Sequence, residues 1–137
     1  MDMEFENKIA LLTERETAYS ADAYRFVAEA VNYTVGKLPA HRHVTALELL
    51  KGAREMAVNE YGAVAREVLR EFGIKTASDV GKIVYLLISV NLLSSSEDDS
   101  PEDFDIDFEP VPAVTEAELV EILKSVYKLM KGVGELL

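Results

Sequence analysis

The chain has 137 residues, a hydrophobic share of 49% and a formal net charge of −11. This length and hydrophobic content suit one globular domain over residues 1–137 and exclude a disordered chain. Because cysteine is absent, disulfide frameworks, thiolate nucleophiles and thiolate metal sites are excluded as well.

Two helices are predicted at the N-terminus. An apolar stripe at helical spacing predicts the first over residues 3–15. Apolar residues then recur with a period of 3.6 from about residue 20, until Gly36 supplies a stop and Pro39 blocks continuation. We therefore expect the second helix over about 20–35.

The middle of the chain opens with a capping box, TALE at 45–48, which predicts the start of a third helix. Its apolar stripe keeps phase as far as Phe72. Glycine costs ~1 kcal/mol inside a helix and little at its end, so we expect a break at Tyr61-Gly62 and an end at Gly73.

Thr76 and Asp79 repeat the capping pattern and predict a helix over about 77–93. This segment is apolar on nearly all sides, which is typical of a buried central helix. Its longest apolar stretch has 11 residues, from 83 to 93, and is too short for the ~20 that span a bilayer. We expect no association with membranes.

A third capping box at 115–118 predicts a last helix, which Gly132 and Gly134 close. The predicted fold class is therefore all-α. We expect a single compact domain of five or six helices around a central apolar helix at about 77–93.

The acidity is concentrated in one segment. Residues 94–110 hold eight of the 25 carboxylates and no Lys or Arg, and the rest of the chain is nearly balanced. Nucleic-acid binding requires a basic stripe, which is missing, so this function is excluded. The N-terminus also lacks the basic start of a signal peptide, and we expect a cytoplasmic location.

Within this segment, Phe104, Ile106 and Phe108 alternate with aspartates. Alternation places the three apolar side chains on one side of an extended chain. We therefore predict a mobile acidic spacer at 94–101 and a strand-like docking arm at 102–109. The arm would occupy a groove between helices of its own chain or of a second chain.

Two patterns suggest metal. The D-x-D-x-D run that begins at Asp103 lacks the glycine and glutamate that a calcium loop needs at its sixth and twelfth positions, which excludes an EF-hand. His41 and His43 could bind a divalent cation with Glu48 as a third ligand, although metal sites usually need further support. The favoured interpretation of His43 is a turn residue beside the helix cap, and no cofactor is predicted.

Several short motifs together resemble a known family. They include Ala23-Tyr24, His43-Val44-Thr45, Tyr61-Gly62, Phe72-Gly73-Ile74 and Asp103-Phe104. Over about 18–110 the chain resembles a family of uncharacterised bacterial proteins, described as Planctomycete/Verrucomicrobia conserved hypothetical proteins. The resemblance implies a single compact bacterial domain and no particular activity.

No convergent set of catalytic residues is recognisable in the sequence. The preferred hypothesis is a non-catalytic helical interaction or regulatory module that binds a protein partner or a second copy of itself. In this hypothesis the acidic arm is either an intramolecular clamp or the element that binds the partner. The alternative is a small metal-dependent enzyme or ligand-binding protein that uses His41 and His43 with nearby carboxylates. A third hypothesis is an acidic surface that mimics nucleic acid toward a basic partner.

Overall fold

A computed structural model describes residues 3–40, 42–94 and 100–106 and positions 120, 121, 123, 124, 127 and 128. Its first two ranges contain five α-helices. The helices are α1 (Met3–Arg15), α2 (Ala21–Gly36), α3 (Ala46–Tyr61), α4 (Ala65–Phe72) and α5 (Ala77–Ser89). Two short 3₁₀ turns cover Gly62–Val64 and Pro101–Phe104, and we call the second the Phe104 turn. These residues contain no β-strand, and the predicted all-α class is confirmed.

Both capping boxes predicted in the described region are present. The Thr45 hydroxyl accepts a hydrogen bond from the Glu48 backbone N–H at 3.2 Å, and the Glu48 carboxylate accepts one from the Thr45 N–H at 2.9 Å. Thr76 and Asp79 make the same reciprocal pair at the start of α5. Local hydrogen bonds of this kind satisfy backbone donors that the first helical turn leaves unpaired, which explains why the sequence located both starts.

The predicted helix ends at Gly62 and Gly73 are also confirmed. Both glycines have positive φ, 61° and 103°, a region where a side chain is strained. At Gly73 the backbone forms a Schellman motif, because the N–H of Ile74 bonds to the carbonyl of Leu69. At Gly62 the left-handed φ and the following 3₁₀ turn interrupt the α-helix between α3 and α4.

Helix α5 is shorter than the predicted 77–93 segment, because it stops at Ser89. Asn91 adopts a φ of 62°, and the N–H of Leu92 bonds to the carbonyl of Leu87 at 3.0 Å. Together these contacts form a Schellman motif with asparagine in the position that glycine usually takes. Asparagine tolerates the left-handed conformation better than most residues, and the prediction missed this stop.

Helix α2 has more helical neighbours than α5 in the described part of the chain. It packs against α1, α3, α4 and α5, and Tyr24, Val27 and Ala30 on it are completely buried. Helix α5 leaves Val84 only half-buried. The described helices therefore gather around α2, in contrast to the predicted centre at 77–93.

The crossing of α2 and α3 depends on Gly52. A Cβ atom at this position would lie 1.9 Å from the Thr34 hydroxyl oxygen. Thr34 is buried and donates its hydroxyl hydrogen to the Ala30 carbonyl at 2.7 Å. The glycine in the middle of α3 thus permits a close approach of two helices.

The strand-like form predicted for the arm is wrong in its described part. Pro101–Phe104 is a 3₁₀ turn that begins with a capping box, in which the Asp103 carboxylate accepts a hydrogen bond from the Ser100 N–H at 3.1 Å. The S-x-x-D spacing and a proline in the first turn favour this conformation. The alternation of aromatic and acidic residues therefore did not decide the local structure.

Most of the remaining predictions for the C-terminal region fall on residues outside the described ranges. This holds for residues 95–99 of the spacer, for Phe108, and for the capping box at 115–118. The described positions between 120 and 128 are helical. None of the helices in the described ranges combines the length and hydrophobicity needed to cross a membrane.

Candidate functional site

The Phe104 turn is fastened to α5 by a single aromatic side chain. Phe104 is only 6% exposed. A Cβ atom placed on Gly81 would lie 2.6 Å from both Cβ and Cγ of Phe104, so the aromatic side chain rests directly on the backbone of α5. The turn also contacts α3, and it thereby forms a wall between these two helices.

The three residues predicted to dock behave differently from one another. Phe104 is buried against its own chain, whereas Ile106 is 41% exposed. Phe108 lies outside the described residues. Of the two docking residues that the structure describes, Phe104 alone is buried in the core, and it belongs to a turn instead of an extended strand.

A cleft of about 460 Å³ opens beside Phe104. Its sides come from α2, from the segment before α3, from the start of α3, from α5 and from the Phe104 turn. The apolar and aromatic side chains that line it are Val31, Val35, Val44, Ala46, Leu49, Val84, Tyr85, Ile88, Leu93 and Phe104, and the polar ones are Asn32, Arg42, His43, Thr45, Ser94 and Asp103. This volume and this apolar lining are typical of sites that accept a small molecule or a side chain of a partner.

The polar edge of the cleft is formed in part by Arg42 and His43. The guanidinium of Arg42 donates hydrogen bonds to both carboxylate oxygens of Glu48 at 2.9 Å and to the His43 carbonyl at 3.0 Å. The hydrogen bonds that Glu48 accepts from Arg42 and from the Thr45 N–H lower the pKa of Glu48 to about 2. The charges at this edge therefore stabilise the start of α3.

The predicted metal ligands are not brought together in the described structure. His43 is exposed at the edge of the cleft, and Glu48 already accepts hydrogen bonds through both oxygens. His41 lies outside the described residues. Within those residues no three His, Asp or Glu side chains are grouped in a way that could hold an ion.

Another acidic side chain, Asp79, is bound within the fold. It accepts hydrogen bonds from the Tyr19 hydroxyl at 2.7 Å and from the backbone N–H groups of Lys75 and Thr76. Partial burial raises the pKa of Asp79, but these hydrogen bonds outweigh that effect, and the net pKa is lowered. Asp79 thus joins the segment before α2 to the start of α5 and has a structural role.

Sequence reasoning missed the cleft and the contact between Gly81 and Phe104. The sequence contains a signal for the contact, because Gly81 interrupts a largely apolar helix and a glycine inside a helix often marks a close approach of another segment. Its partner could not be identified, because Phe104 is distant in the chain.

No protein-family model, curated protein or solved structure matches the chain.

Proposed function

We propose that the chain is a non-catalytic helical interaction module whose recognition surface is the cleft between α2 and α5. The observation that carries this proposal is an apolar cleft of about 460 Å³ that is open at the surface of a small domain. Burial of apolar surface is the main favourable term in protein association, and clefts of this kind are the usual sites for it.

The pairing of Arg42 with Glu48 beside the cleft supports a structural role for these two side chains over a catalytic one. A general base or nucleophile must be free to reach a substrate atom. The Arg42 and Glu48 side chains are instead bonded to each other and to the backbone at the start of α3. Their arrangement fixes one edge of the cleft and leaves the apolar wall as the recognition element.

The acidic arm at 102–109 has a place in this proposal. Phe104 belongs to the arm and also lines the cleft, so the arm shapes the surface that a partner would meet. The acidic charge around residues 94–110 would favour basic groups on that partner. We infer that the last helix, begun by the capping box at 115–118, completes an arrangement of six helices.

Binding of anilinonaphthalene sulfonate (ANS), whose fluorescence rises in apolar sites, tests the proposal. The measurement uses protein diluted until sedimentation shows a single chain. Wild-type protein should bind ANS, and Val84→Trp, which fills the cleft, should reduce the fluorescence several-fold. Val58→Trp is the matched control, because Val58 is exposed on α3 and does not line the cleft.

A second variant, Ile88→Gln, makes the cleft wall polar without filling it and should also weaken ANS binding. Circular dichroism must show that each variant keeps its helices. Equal ANS fluorescence in the wild type and in both cleft variants would contradict the proposal, as would no ANS binding at all.

A further inference from the structure

A second apolar surface lies near the C-terminus. Val120, Leu123 and Tyr127 are all helical in the structure and are 43%, 59% and 69% exposed. Their spacing of i, i+3 and i+7 places them along one face of a helix. We call these three side chains the C-terminal stripe.

We propose that the cleft of one chain receives the C-terminal stripe of a second copy of the chain. The inference rests on the proposed function, because it names the partner of the same cleft. Recognition of an amphipathic helix by an apolar groove uses anchors at i, i+3 and i+7. The stripe offers three such anchors, and the cleft offers apolar side chains from the two helices that flank it.

The charges beside the two surfaces are complementary. Lys124 and Lys128 lie next to the stripe and are exposed, whereas Glu102, Asp103 and Asp105 lie on or beside the turn that borders the cleft and are also exposed. Lys124 has an ion pair with Glu121 at 3.6 Å, but both side chains are at least 70% exposed. Pairs as exposed as this one contribute little, so the lysine can readily turn to an acidic partner. Such charges set orientation and association rate more than affinity.

We infer a second copy as the occupant because the residues that the structure describes leave both surfaces uncovered. The stripe is exposed in the same structure in which the cleft is open. If two chains each place their stripe in the cleft of the other, the two contacts are equivalent and the assembly closes as a two-fold dimer. A closed dimer buries both exposed apolar surfaces at once.

Cysteine pairs test this contact directly, because the natural chain contains no cysteine. One chain carries Leu123→Cys and the other Ile88→Cys, a half-buried position in the cleft. After mixing and mild oxidation, we expect a reducible heterodimer that forms several-fold faster than in a control mixture of Leu123→Cys with Val58→Cys. A yield no greater than in the control would overturn the proposal.

Sedimentation supplies a second readout. The wild type should have about twice the 15.2 kDa mass of one chain, and Leu123→Asp should return it to the mass of one chain with unchanged circular dichroism. Val58→Asp, a matched change at an exposed site outside the cleft, should leave the dimer intact. A wild type that stays monomeric at high concentration overturns the proposal.

ANS separates failure of this inference from failure of the proposed function. In the wild type, ANS bound per chain should fall as protein concentration rises, whereas in Leu123→Asp it should stay constant. If ANS binding depends on Val84 but not on protein concentration, the cleft is a recognition site and the second copy is not its occupant. If the double variant Leu123→Cys with Ile88→Cys cross-links only within one chain, the stripe covers its own cleft and the dimer is wrong.

Discussion

Replacing Gly81 by alanine should destabilise the protein, although alanine is the better helix former. The new Cβ atom would lie 2.6 Å from Cβ and Cγ of Phe104 and 2.8 Å from its Cδ2. These distances are shorter than normal contacts between carbon atoms, which lie at about 3.5–4.0 Å. The Phe104 ring must therefore leave its place on α5.

The size of the effect follows from two opposing terms. Alanine improves the intrinsic helix propensity by ~1 kcal/mol relative to glycine. Phe104 is only 6% exposed, and full burial of a phenylalanine side chain contributes about 1.5–3 kcal/mol. Phe104 is the buried residue of its turn. If its ring leaves α5, the protein therefore loses at most the free energy gained from burying that ring. We therefore expect Gly81→Ala to reduce the free energy of unfolding by about 0.5–2 kcal/mol.

The sign of the effect should reverse when the ring is absent. In Phe104→Ala the turn has lost the side chain that holds it against α5 and can move away from the new methyl group. Gly81→Ala should then stabilise this variant by up to ~1 kcal/mol, which is the propensity term alone. Residues in direct contact commonly show coupling of about 0.5–3 kcal/mol in double-mutant cycles, and the expected reversal lies within that range.

The assay is urea unfolding of the wild type, both single variants and the double variant, followed by far-ultraviolet circular dichroism. Gly36→Ala is the matched control, since no heavy atom lies within 4 Å of a Cβ at that position, and its effect should stay within about 0.5 kcal/mol. If Gly81→Ala stabilises the wild type as much as it stabilises Phe104→Ala, the ring does not rest on Gly81 and the reasoning fails.

Two further variants test other contacts. Gly52→Ala should lower the free energy of unfolding by about 1–3 kcal/mol, the usual cost of overpacking, because its Cβ would lie 1.9 Å from the Thr34 hydroxyl oxygen. Urea unfolding should show that adding Thr34→Ala restores part of this stability. An unchanged free energy of unfolding in Gly52→Ala would refute the close approach of the two helices. The pKa of Glu48 is lowered from 4.5 to about 2, chiefly by hydrogen bonds from Arg42. As the pH falls, the Glu48 carboxylate is therefore protonated at a higher pH in the unfolded chain than in the folded one. The contribution of ionised Glu48 to stability is complete above pH 4.5 and is lost as the pH falls toward 2. Glu48→Gln should therefore be less stable than the wild type at neutral pH and approach it in acid, and a gap that is constant with pH would contradict this role.

The candidate site was only partly predictable. Alternation correctly drew attention to Phe104, but the conformation of its turn was misread because S-x-x-D can also form a capping box. Glu48 was considered as a metal ligand. Its place in the Thr45–Glu48 capping box already indicated the structural role that its hydrogen bonds show. The cleft itself had no sequence signal, since its walls come from separate parts of the chain.

Apart from the stop of α5 at Asn91, the helix starts and stops named above could be predicted from sequence because the interactions that fix them join residues at most five positions apart. The Thr45–Glu48 box, the break at Gly62 and the stop at Gly73 are of this kind. Hydrophobic periodicity likewise identified the buried faces of α1, α2 and α3, because it depends only on the helical repeat.

The neighbours of each helix were decided by the tertiary structure alone. Contacts between residues distant in the chain place Phe104 on Gly81 and Thr34 against Gly52. They also create the cleft between α2 and α5. Such contacts depend on how closely the shapes of the side chains fit together, and the hydrophobic pattern of a sequence does not specify that fit. The surface on which the proposed function rests is therefore a property of the assembled helices and of no single segment.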